Sequence, residues 1–394
     1  MLTILCVATY FKGDAFLREA HRLGARVLLL TADALAGAEW PRDAVAEIHT
    51  IARGASDAAV QLAVGAIARR QRIDRIAALD DFDVETGAML REYFQVPGFD
   101  RAVAARFRDK LTMRTTAKRL GIGVPEFTAV FNDDAVREWA ARVPPPWVLK
   151  PRSSAASTGI RKIASREELW PALEATGGER PSFVLERFVP GDVFHVDAIV
   201  KGGVVRFAVV SKYGKPPMQV AHEGGVFVTR RLAPDSPETR QLIDVNMRLL
   251  SGFGLRDGVS HSEFIGAADG IRFLETSARV GGAYIVDVVE AATGTNLWRE
   301  WAKVALAGDD GEYEAPKDRG SFAGIVLSLA RQETPDLSAY VDPEIVYRVK
   351  KRHHAGLIVA GPDQARIDRL LDDYSARFTR DFVATMPVPE RPVE

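Results

Sequence analysis

The sequence predicts a chain of mixed α/β and α+β class that begins with a doubly wound parallel sheet. Apolar, β-branched runs alternate with helical patterns over the first hundred residues, a rhythm typical of a parallel sheet covered by helices on both faces. After Pro97-Gly98, strands and helices follow at shorter spacing, as in an α+β unit. The 47% hydrophobic content of the 394 residues is enough to fill the cores of two or three domains.

The parallel sheet is predicted from three apolar runs separated by turns and helices. These runs are Leu2 to Tyr10, Arg26 to Thr31 and Ile76 to Leu79. Sheets of this kind often bind ligands beyond the carboxyl ends of their strands, where Tyr10 to Asp14 and Asp80 to Asp83 form loops. No GxGxxG pattern follows the first run, so a dinucleotide-binding fold is not supported.

The elements after the first hundred residues are predicted in the same way. A helix is expected over Arg108 to Leu120, and a buried strand over Trp147 to Lys150 that leads into the small-residue loop Ser153 to Gly159. Near the end of the chain, Phe322 to Leu329 and Gly356 to Ala360 are β-like, and a final helix begins at about Asp363.

The charge balance excludes some classes of partner. With 52 basic and 53 acidic residues the net charge is −1, so neither nucleic acid nor a membrane surface is an expected partner. No apolar stretch approaches the ~18 residues of a membrane helix, and the first residues do not resemble a signal peptide. We therefore expect a cytoplasmic protein. The one cysteine, Cys6, lies in an apolar run and is expected to be a buried hydrophobic residue.

A hairpin between residues 261 and 282 carries the most informative side chains. Its turn ends in Gly270, and a three-residue loop places Glu263 directly opposite Glu275. Because side chains alternate along a strand, Ser277 and Arg279 share the face of Glu275. Opposed carboxylates repel each other, and a hard cation such as Mg²⁺ between them would remove the conflict. The alternatives are an ordinary exposed hairpin, or a register offset by one that leaves the glutamates diagonal.

Two lysines stand at the ends of regular elements. Lys110 lies in the first turn of a predicted helix, where the helix dipole disfavours a cation, and Lys150 ends a buried strand. Both positions suit a bound anion, although each lysine taken singly could simply be solvated. The loop Ser153 to Gly159 offers backbone N–H groups and hydroxyls with little bulk, which suits a flap over phosphates.

The order of these features along the chain resembles that of the ATP-grasp superfamily. The features are the two lysines with the small-residue loop, the segment Glu186-Arg187-Phe188-Val189, Glu263, and the run Glu275 to Arg279 before Gly281-Gly282. The pattern is most similar to the carboxylate–amine ligase type, notably the L-amino-acid ligases, over about residues 1–310. The resemblance implies three parts: a preceding α/β domain at residues 1–104, a two-lobed ATP-grasp domain at 105–310 with its small lobe at about 123–186, and an α+β segment at 311–394 that completes the large lobe.

The resemblance also implies roles for the matching residues. Lys110 and Lys150 would bind ATP phosphates, and Arg279 would act with Lys150 on the transferring phosphoryl group. Glu263 and Glu275 would hold Mg²⁺, with Mn²⁺ as a substitute. The remaining ATP contacts would come from the flap residues Ser153, Ser154, Ser157, Thr158 and Gly159, from the backbone of Arg187 and Val189 at the adenine, and from Glu186 and Phe188 beside it.

The chain departs from the family pattern at two positions. Ser277 stands where an asparagine usually serves as a third metal ligand, and a hydroxyl is a poorer ligand. Val193 stands where a ribose-binding glutamate is usual, so Asp192 or His195 would have to take its place. His195 could equally be an ordinary strand histidine.

The implied function is an ATP-dependent ligase that joins a carboxylate to an amine through an acyl phosphate and releases ADP and phosphate. Its partners would be small molecules, amino acids above all, and a homodimer is a reasonable expectation. The alternatives are an enzyme of the biotin-carboxylase or purine-biosynthetic kind and an ATP-binding module without catalysis. The pair Arg230-Arg231 suits a substrate carboxylate, or is solvated.

Overall fold

The computed structural model describes residues 1–154, 158–308 and 311–384, and for 221–223 it describes the backbone only. Ser157, one of the flap residues expected to contact ATP, lies outside the described residues. Three sheets and the helices that cover them account for the regular structure of the described ranges. No helix of these ranges is both apolar and long enough to span a bilayer.

The first sheet is parallel and has the strand order β3-β2-β1-β4. Helix α1 packs on one face, and α2 and α3 pack on the other, so the expected doubly wound arrangement is confirmed. Strand β3 was not predicted, because its half-buried, polar sequence EIHTI lacks a clear apolar run. The elements are β1 (Thr3–Ala8), α1 (Asp14–Arg22), β2 (Arg26–Ala32), β3 (Glu47–Ile51), α2 (Asp57–Ala68), β4 (Arg75–Ala78) and α3 (Val84–Phe94).

Helix α5 (Lys110–Arg119) confirms the helix predicted over Arg108 to Leu120, and a further helix that was not predicted, α4 (Arg101–Arg108), precedes it. The break between the two helices falls at Asp109, whose backbone is extended and whose side chain accepts a hydrogen bond from the amide of Thr112. This N-cap stabilises the start of the second helix. It also fixes Lys110 as the first residue of α5, which is the place expected for it.

A small antiparallel sheet with the order β5-β8-β6-β7 follows, covered by two helices. Trp147, at the start of β6, is fully buried at the centre of this unit. The predicted strand Trp147 to Lys150 is confirmed, with one further residue. The elements are β5 (Phe127–Ala129), α6 (Asp133–Arg142), β6 (Trp147–Pro151), β7 (Arg161–Ile163), α7 (Leu169–Glu174) and β8 (Phe183–Arg187).

The third sheet has eight antiparallel strands in the order β13-β12-β9-β10-β11-β14-β16-β15. Its last three strands come from the C-terminal part of the chain, so that part extends the sheet rather than forming a separate one. The elements are β9 (Asp192–Lys201), β10 (Val204–Tyr213), α8 (Pro217–Glu223), β11 (Phe227–Arg231), α9 (Pro237–Phe253), β12 (Gly258–Ala267), β13 (Gly270–Ser277), α10 (Ile285–Thr293), α11 (Leu297–Ala307), β14 (Phe322–Leu329), β15 (Ile345–Arg348), β16 (His354–Gly361) and α12 (Gln364–Asp381).

The N-terminal sheet and the large sheet share one hydrophobic core. The ring of Phe16 in α1 packs edge-to-face against Trp301 of α11, and residues of β9 and β12 extend the same cluster. This packing brings the carboxyl end of β4, with the loop after it, against the end of β13. The predicted hairpin therefore lies at a junction of three sheets.

Candidate active site

A cleft of about 490 Å³ separates the small sheet from the β13-β12-β9 side of the large sheet. Its walls are mostly apolar, and its charged groups gather at one end. The residues of the charged end are Lys110, Lys150, Glu186, Glu263 and Glu275. An apolar chamber with a few convergent polar groups is the usual form of a small-molecule site.

The hairpin register places Glu263 opposite Glu275, as the sequence predicts. The loop that produces this register differs from the predicted one. Ala267 pairs with Gly270, so the loop has two residues instead of three, and Leu274 is an unpaired bulge that restores the expected alignment. Gly270 has a φ of 119°, a conformation that residues with a side chain rarely adopt.

Each of the two opposed glutamates has its own partner. Lys110 Nζ lies 3.0 Å from Glu275 Oε2 and donates to the carbonyl of Ser154 across 2.7 Å. The hydroxyl of Tyr213 donates to Glu263 Oε1 at 2.8 Å. Burial raises the pKa of Glu275, but the charges of Lys110 and Lys150 outweigh it and hold the pKa below its ordinary value. Glu275 is thus an anion, available to a cation.

Lys150 belongs to a buried triad of charges. Its ammonium lies 2.8 Å from Glu186 Oε2, and Arg114 Nε lies 2.9 Å from the other oxygen of that carboxylate. Burial lowers the pKa of Lys150 to about 8, against the opposing effect of Glu186. Arg114 is absent from the predicted site, yet it lies one turn after Lys110 on α5, and this i, i+4 spacing is a signal the sequence carries.

Arg279 is held by a carboxylate from the N-terminal sheet. Arg279 Nη2 donates to Asp81 Oδ2 across 2.8 Å, and Ser277 Oγ donates to the same oxygen across 3.0 Å. Arg108 lies 3.5 Å from the other oxygen. Burial raises the pKa of Asp81, but Arg279 and Arg108 bring it down to about 2. The loop after β4 was expected to face a ligand, but its contact with Arg279 was not predicted.

The metal role predicted for Ser277 is not supported, because its hydroxyl is engaged with Asp81. A cation beside Glu263 and Glu275 would have to draw on water or on the nucleotide for its remaining ligands. The donor set itself fits Mg²⁺, since two facing carboxylates supply hard oxygen ligands next to cations that suit phosphates.

The contacts of His195 do not support its predicted role as a substitute ribose ligand. Its Nδ1 lies 2.7 Å from Asp197 Oδ2 and its Nε2 lies 2.7 Å from Thr229 Oγ1, so both ring nitrogens are engaged inside the protein. Asp197 also binds His261 Nδ1 at 2.8 Å, and its own pKa is lowered by the two histidines despite complete burial. The two histidines and Asp197 form a polar core below Glu263.

Asp192 does not take the ribose role either. It pairs with Lys212 at 2.7 Å and is mostly exposed. The alternation along β9 places Asp192 with Phe194 on the face away from the cleft, whereas Val193 lines the cleft. Val193, at the position where the resemblance implies a ribose-binding glutamate, therefore presents an apolar side chain to the cleft.

The segment predicted to contact adenine, residues 187–189, has some backbone groups that are hydrogen-bonded within the protein and some that are not. The amide of Arg187 donates to the carbonyl of Glu126 at 2.7 Å, and the amide of Phe188 donates to that of Pro146 at 2.9 Å. Val189 has no backbone acceptor within the described ranges, so its N–H remains available to a ligand. Arg187 could offer only its carbonyl oxygen.

The described parts of the flap are anchored at their ends. The carbonyl of Ser153 accepts from Arg108 Nη2 at 2.7 Å, Thr158 is buried, and Gly159 has a φ of 72°. A side chain at Gly159 would also meet the ring of Pro151 at 2.8 Å. Closure of this loop over phosphates stays a prediction.

Arg230 and Arg231 are not free to bind a substrate carboxylate. Arg230 pairs with Asp368 and Asp372 of α12, and Arg231 is buried against Asp318. These contacts join β11 to the C-terminal part of the chain, and the pair is structural.

Comparison with solved structures shows that the chain shares its whole fold with known ligases and synthetases. The L-amino acid ligase from Bacillus licheniformis has a TM-score of 0.77 at 18% identity, with 98% of this chain and 99% of that chain covered. N5-carboxyaminoimidazole ribonucleotide synthetase from Thermus thermophilus has a TM-score of 0.71 at 18% identity, over 98% and 99% of the two chains.

Curated proteins show the same relationship at the level of sequence. The L-arginine-specific L-amino acid ligase of Bacillus subtilis is 24% identical over 246 residues, which are 60% of this chain and 58% of that protein. Carnosine synthase 1 of Mus musculus is 27% identical over 214 residues, 51% of this chain and 26% of that protein. The chain thus spans less than two thirds of the length of these relatives. No protein-family model matches. By sequence and by fold, the chain is thus similar to L-amino acid ligases.

Proposed function

We propose that the chain is an ATP-dependent ligase that joins a carboxylate to an amine, with amino acids as the substrates. The observation that carries the proposal is the facing pair Glu263 and Glu275, with Lys110 at 3.0 Å from one of them and Arg279 farther along the same segment. These groups supply what phosphoryl transfer requires, namely charge stabilisation and positioning. The related L-amino acid ligase and carnosine synthase support an amide product.

Different residues act at different parts of the cleft. Lys150 and Lys110 bring positive charge to the phosphate end, and Val189 offers a backbone donor at the apolar end. Glu263 and Glu275 would hold Mg²⁺, which neutralises charge on phosphate oxygens when it is bound. Arg279, which is held by Asp81, would contribute its guanidinium charge to the transferring phosphoryl group. The apolar walls exclude water, which would otherwise hydrolyse an activated acid.

The reaction has two steps with balanced bonds. A substrate carboxylate oxygen attacks the γ-phosphorus of ATP, the bond from that phosphorus to the bridging oxygen breaks, and ADP leaves with the electron pair. The amine then attacks the acyl carbon of the acyl phosphate, loses a proton, and expels phosphate. Negative charge persists on the phosphoryl oxygens throughout, so fixed cations such as Lys110, Lys150 and Arg279 lower the barrier.

ADP release in the presence of Mg²⁺, with paired pools of amino acids, tests this proposal. We expect ADP release that requires both a carboxylate and an amine, with a peptide product detected by mass spectrometry. Hydroxylamine in place of the amine should trap the acyl phosphate as a hydroxamate. Turnover that depends on bicarbonate alone would contradict the proposal and favour the carboxylase-type alternative. Tight ATP binding without turnover in any pool would favour a binding module.

A further inference from the structure

A second cavity, of about 300 Å³, lies between the N-terminal sheet and α11, and shares no lining residue with the ATP cleft. It is bounded by β4, the start of α4, the turn before β12 and the last turns of α11. Its volume is at the lower end of the range for small-ligand sites. It is therefore a chamber separate from the nucleotide site.

Three guanidinium groups line this cavity, from Arg75, Arg91 and Arg256. None of the three forms an ion pair with a carboxylate in the part of the chain that the structure describes. The arginines of the candidate active site differ in this respect, since Arg114 and Arg279 each bind a carboxylate.

The two acidic residues at the cavity are already engaged. Asp100 caps α4 by accepting from the amide of Val103 at 2.8 Å, and Asp257 lies 2.9 Å from the ammonium of Lys201. The three arginines therefore outnumber the two carboxylates of the lining, and one of these carboxylates is shared with Lys201.

Arg91 is the buried member of the group, with 5% of its surface exposed. Its Nε donates to the carbonyl of Phe99 at 2.9 Å and its Nη1 donates to that of Ile76 at 3.0 Å, while Nη2 has no partner. Burial lowers the pKa of Arg91 to about 10, and the charge of the neighbouring Glu92 offsets this effect only in part. A buried cation with so little compensation is costly, and an anion would stabilise it.

The rest of the wall is apolar. Trp301 and Val304 of α11, with Leu255 and Phe99 on the other side, face the same space. A ligand that satisfies both parts of the cavity combines an anionic head with a short hydrocarbon body.

We infer that this cavity binds a small organic anion, with its carboxylate or phosphate head at the arginines and its apolar body against α11. This cavity and the ATP cleft have no lining residue in common. Carboxylate and phosphate are both oxyanions, and guanidinium groups bind both.

Titration calorimetry with hexanoate and with hexyl phosphate tests the inference on the full chain, with hexylamine as the probe of opposite charge. We expect saturable binding of at least one anion in the millimolar range or tighter, and none of hexylamine. Binding should persist with Mg-ADP present. Absence of binding by both anions, or equal binding of hexylamine, would overturn the inference. This readout needs no turnover, so it is independent of the proposed ligase activity.

Variants locate the binding. Arg256→Gln, at an exposed position, should weaken affinity about tenfold, as expected for one lost charge-assisted contact, while Arg240→Gln outside the cavity should not change it. Ala305→Phe fills the cavity from α11 and should abolish binding. Arg91→Gln should do the same, and its melting temperature reports whether it folds. Affinity that is unchanged in both Arg256→Gln and Ala305→Phe would refute the assignment.

Discussion

Asp81 and Arg279 form an ion pair that joins the N-terminal sheet to the segment carrying Glu275. Arg279 Nη2 donates to Asp81 Oδ2 across 2.8 Å, and that carboxylate is almost completely buried. In the family pattern an asparagine occupies the position of Ser277, and here the serine donates to the same carboxylate. The pair therefore connects the N-terminal sheet with the candidate site, and we propose that Asp81 positions Arg279.

Asp81→Asn should lower kcat about a hundredfold and leave the KM for ATP nearly unchanged, because Arg279 loses its anchor while the nucleotide cleft keeps its lining. Steady-state kinetics with Mg-ATP and the best amino-acid pair measures both constants. Asp80→Asn is the matched control: Asp80 is buried in the same loop but pairs with Lys12 and caps the Phe82 amide. Equal losses in the two variants would show that the loop, and not the ion pair, matters.

Glu275→Gln should abolish turnover and remove most of the dependence of ATP affinity on Mg²⁺. The amide keeps the shape of the side chain but lacks the charge that binds both a cation and Lys110. Calorimetric titration with ATP, with and without Mg²⁺, measures the effect. Glu300→Gln is a fitting control because Glu300 is also buried beside a lysine, Lys303, but outside the cleft. Full activity of Glu275→Gln would contradict the proposed metal site.

ATP affinity should fall as the pH rises above about 8. Burial lowers the pKa of Lys150 to about 8 in the free protein, and bound phosphates favour its ammonium form. Above that pH, binding must therefore take up a proton, and the affinity decreases by up to about tenfold per pH unit; below it, this group contributes no slope. Fluorescence titration with a nucleotide analogue from pH 6 to 10 measures the profile.

Lys150→Arg should flatten that profile, since a guanidinium stays charged throughout the range. Lys162→Arg, in the same cleft above the ring of Phe188, should keep the wild-type slope. If the slope survived in Lys150→Arg, the titrating group would be another residue.

Local sequence patterns predicted the hairpin and the strand that ends at Lys150, because both depend on short-range rules of alternation and turns. The opposed glutamates were predicted correctly although the loop length was not, since the bulge at Leu274 offsets the shorter loop. The bulge lies on the edge strand β13 where it pairs with β12, and it leaves no clear mark in a single strand's sequence.

The partners of the site residues were beyond sequence reasoning. Tyr213, which binds Glu263, and Asp81, which binds Arg279, are 50 and 198 residues away in the chain. Tyr213 reaches Glu263 across β9 of the large sheet, and Asp81 reaches Arg279 because the N-terminal sheet packs against the large sheet. Such contacts decide which groups are free, and for this reason the engagement of both ring nitrogens of His195 could not be predicted.

His195→Gln tests the corrected role of that histidine. The ring bridges Asp197 and Thr229 at 2.7 Å each, and a glutamine cannot span both at the same geometry. The unfolding free energy should fall by about 1–3 kcal/mol, as expected when a buried polar group loses a partner. ATP affinity of the folded variant should stay at the wild-type value, because the imidazole does not line the cleft. Urea denaturation and calorimetric titration measure the two quantities.

Asp192→Ala, on the outer face, should change neither. A large loss of ATP affinity in His195→Gln with unaltered stability would restore the ribose role and reject the structural one.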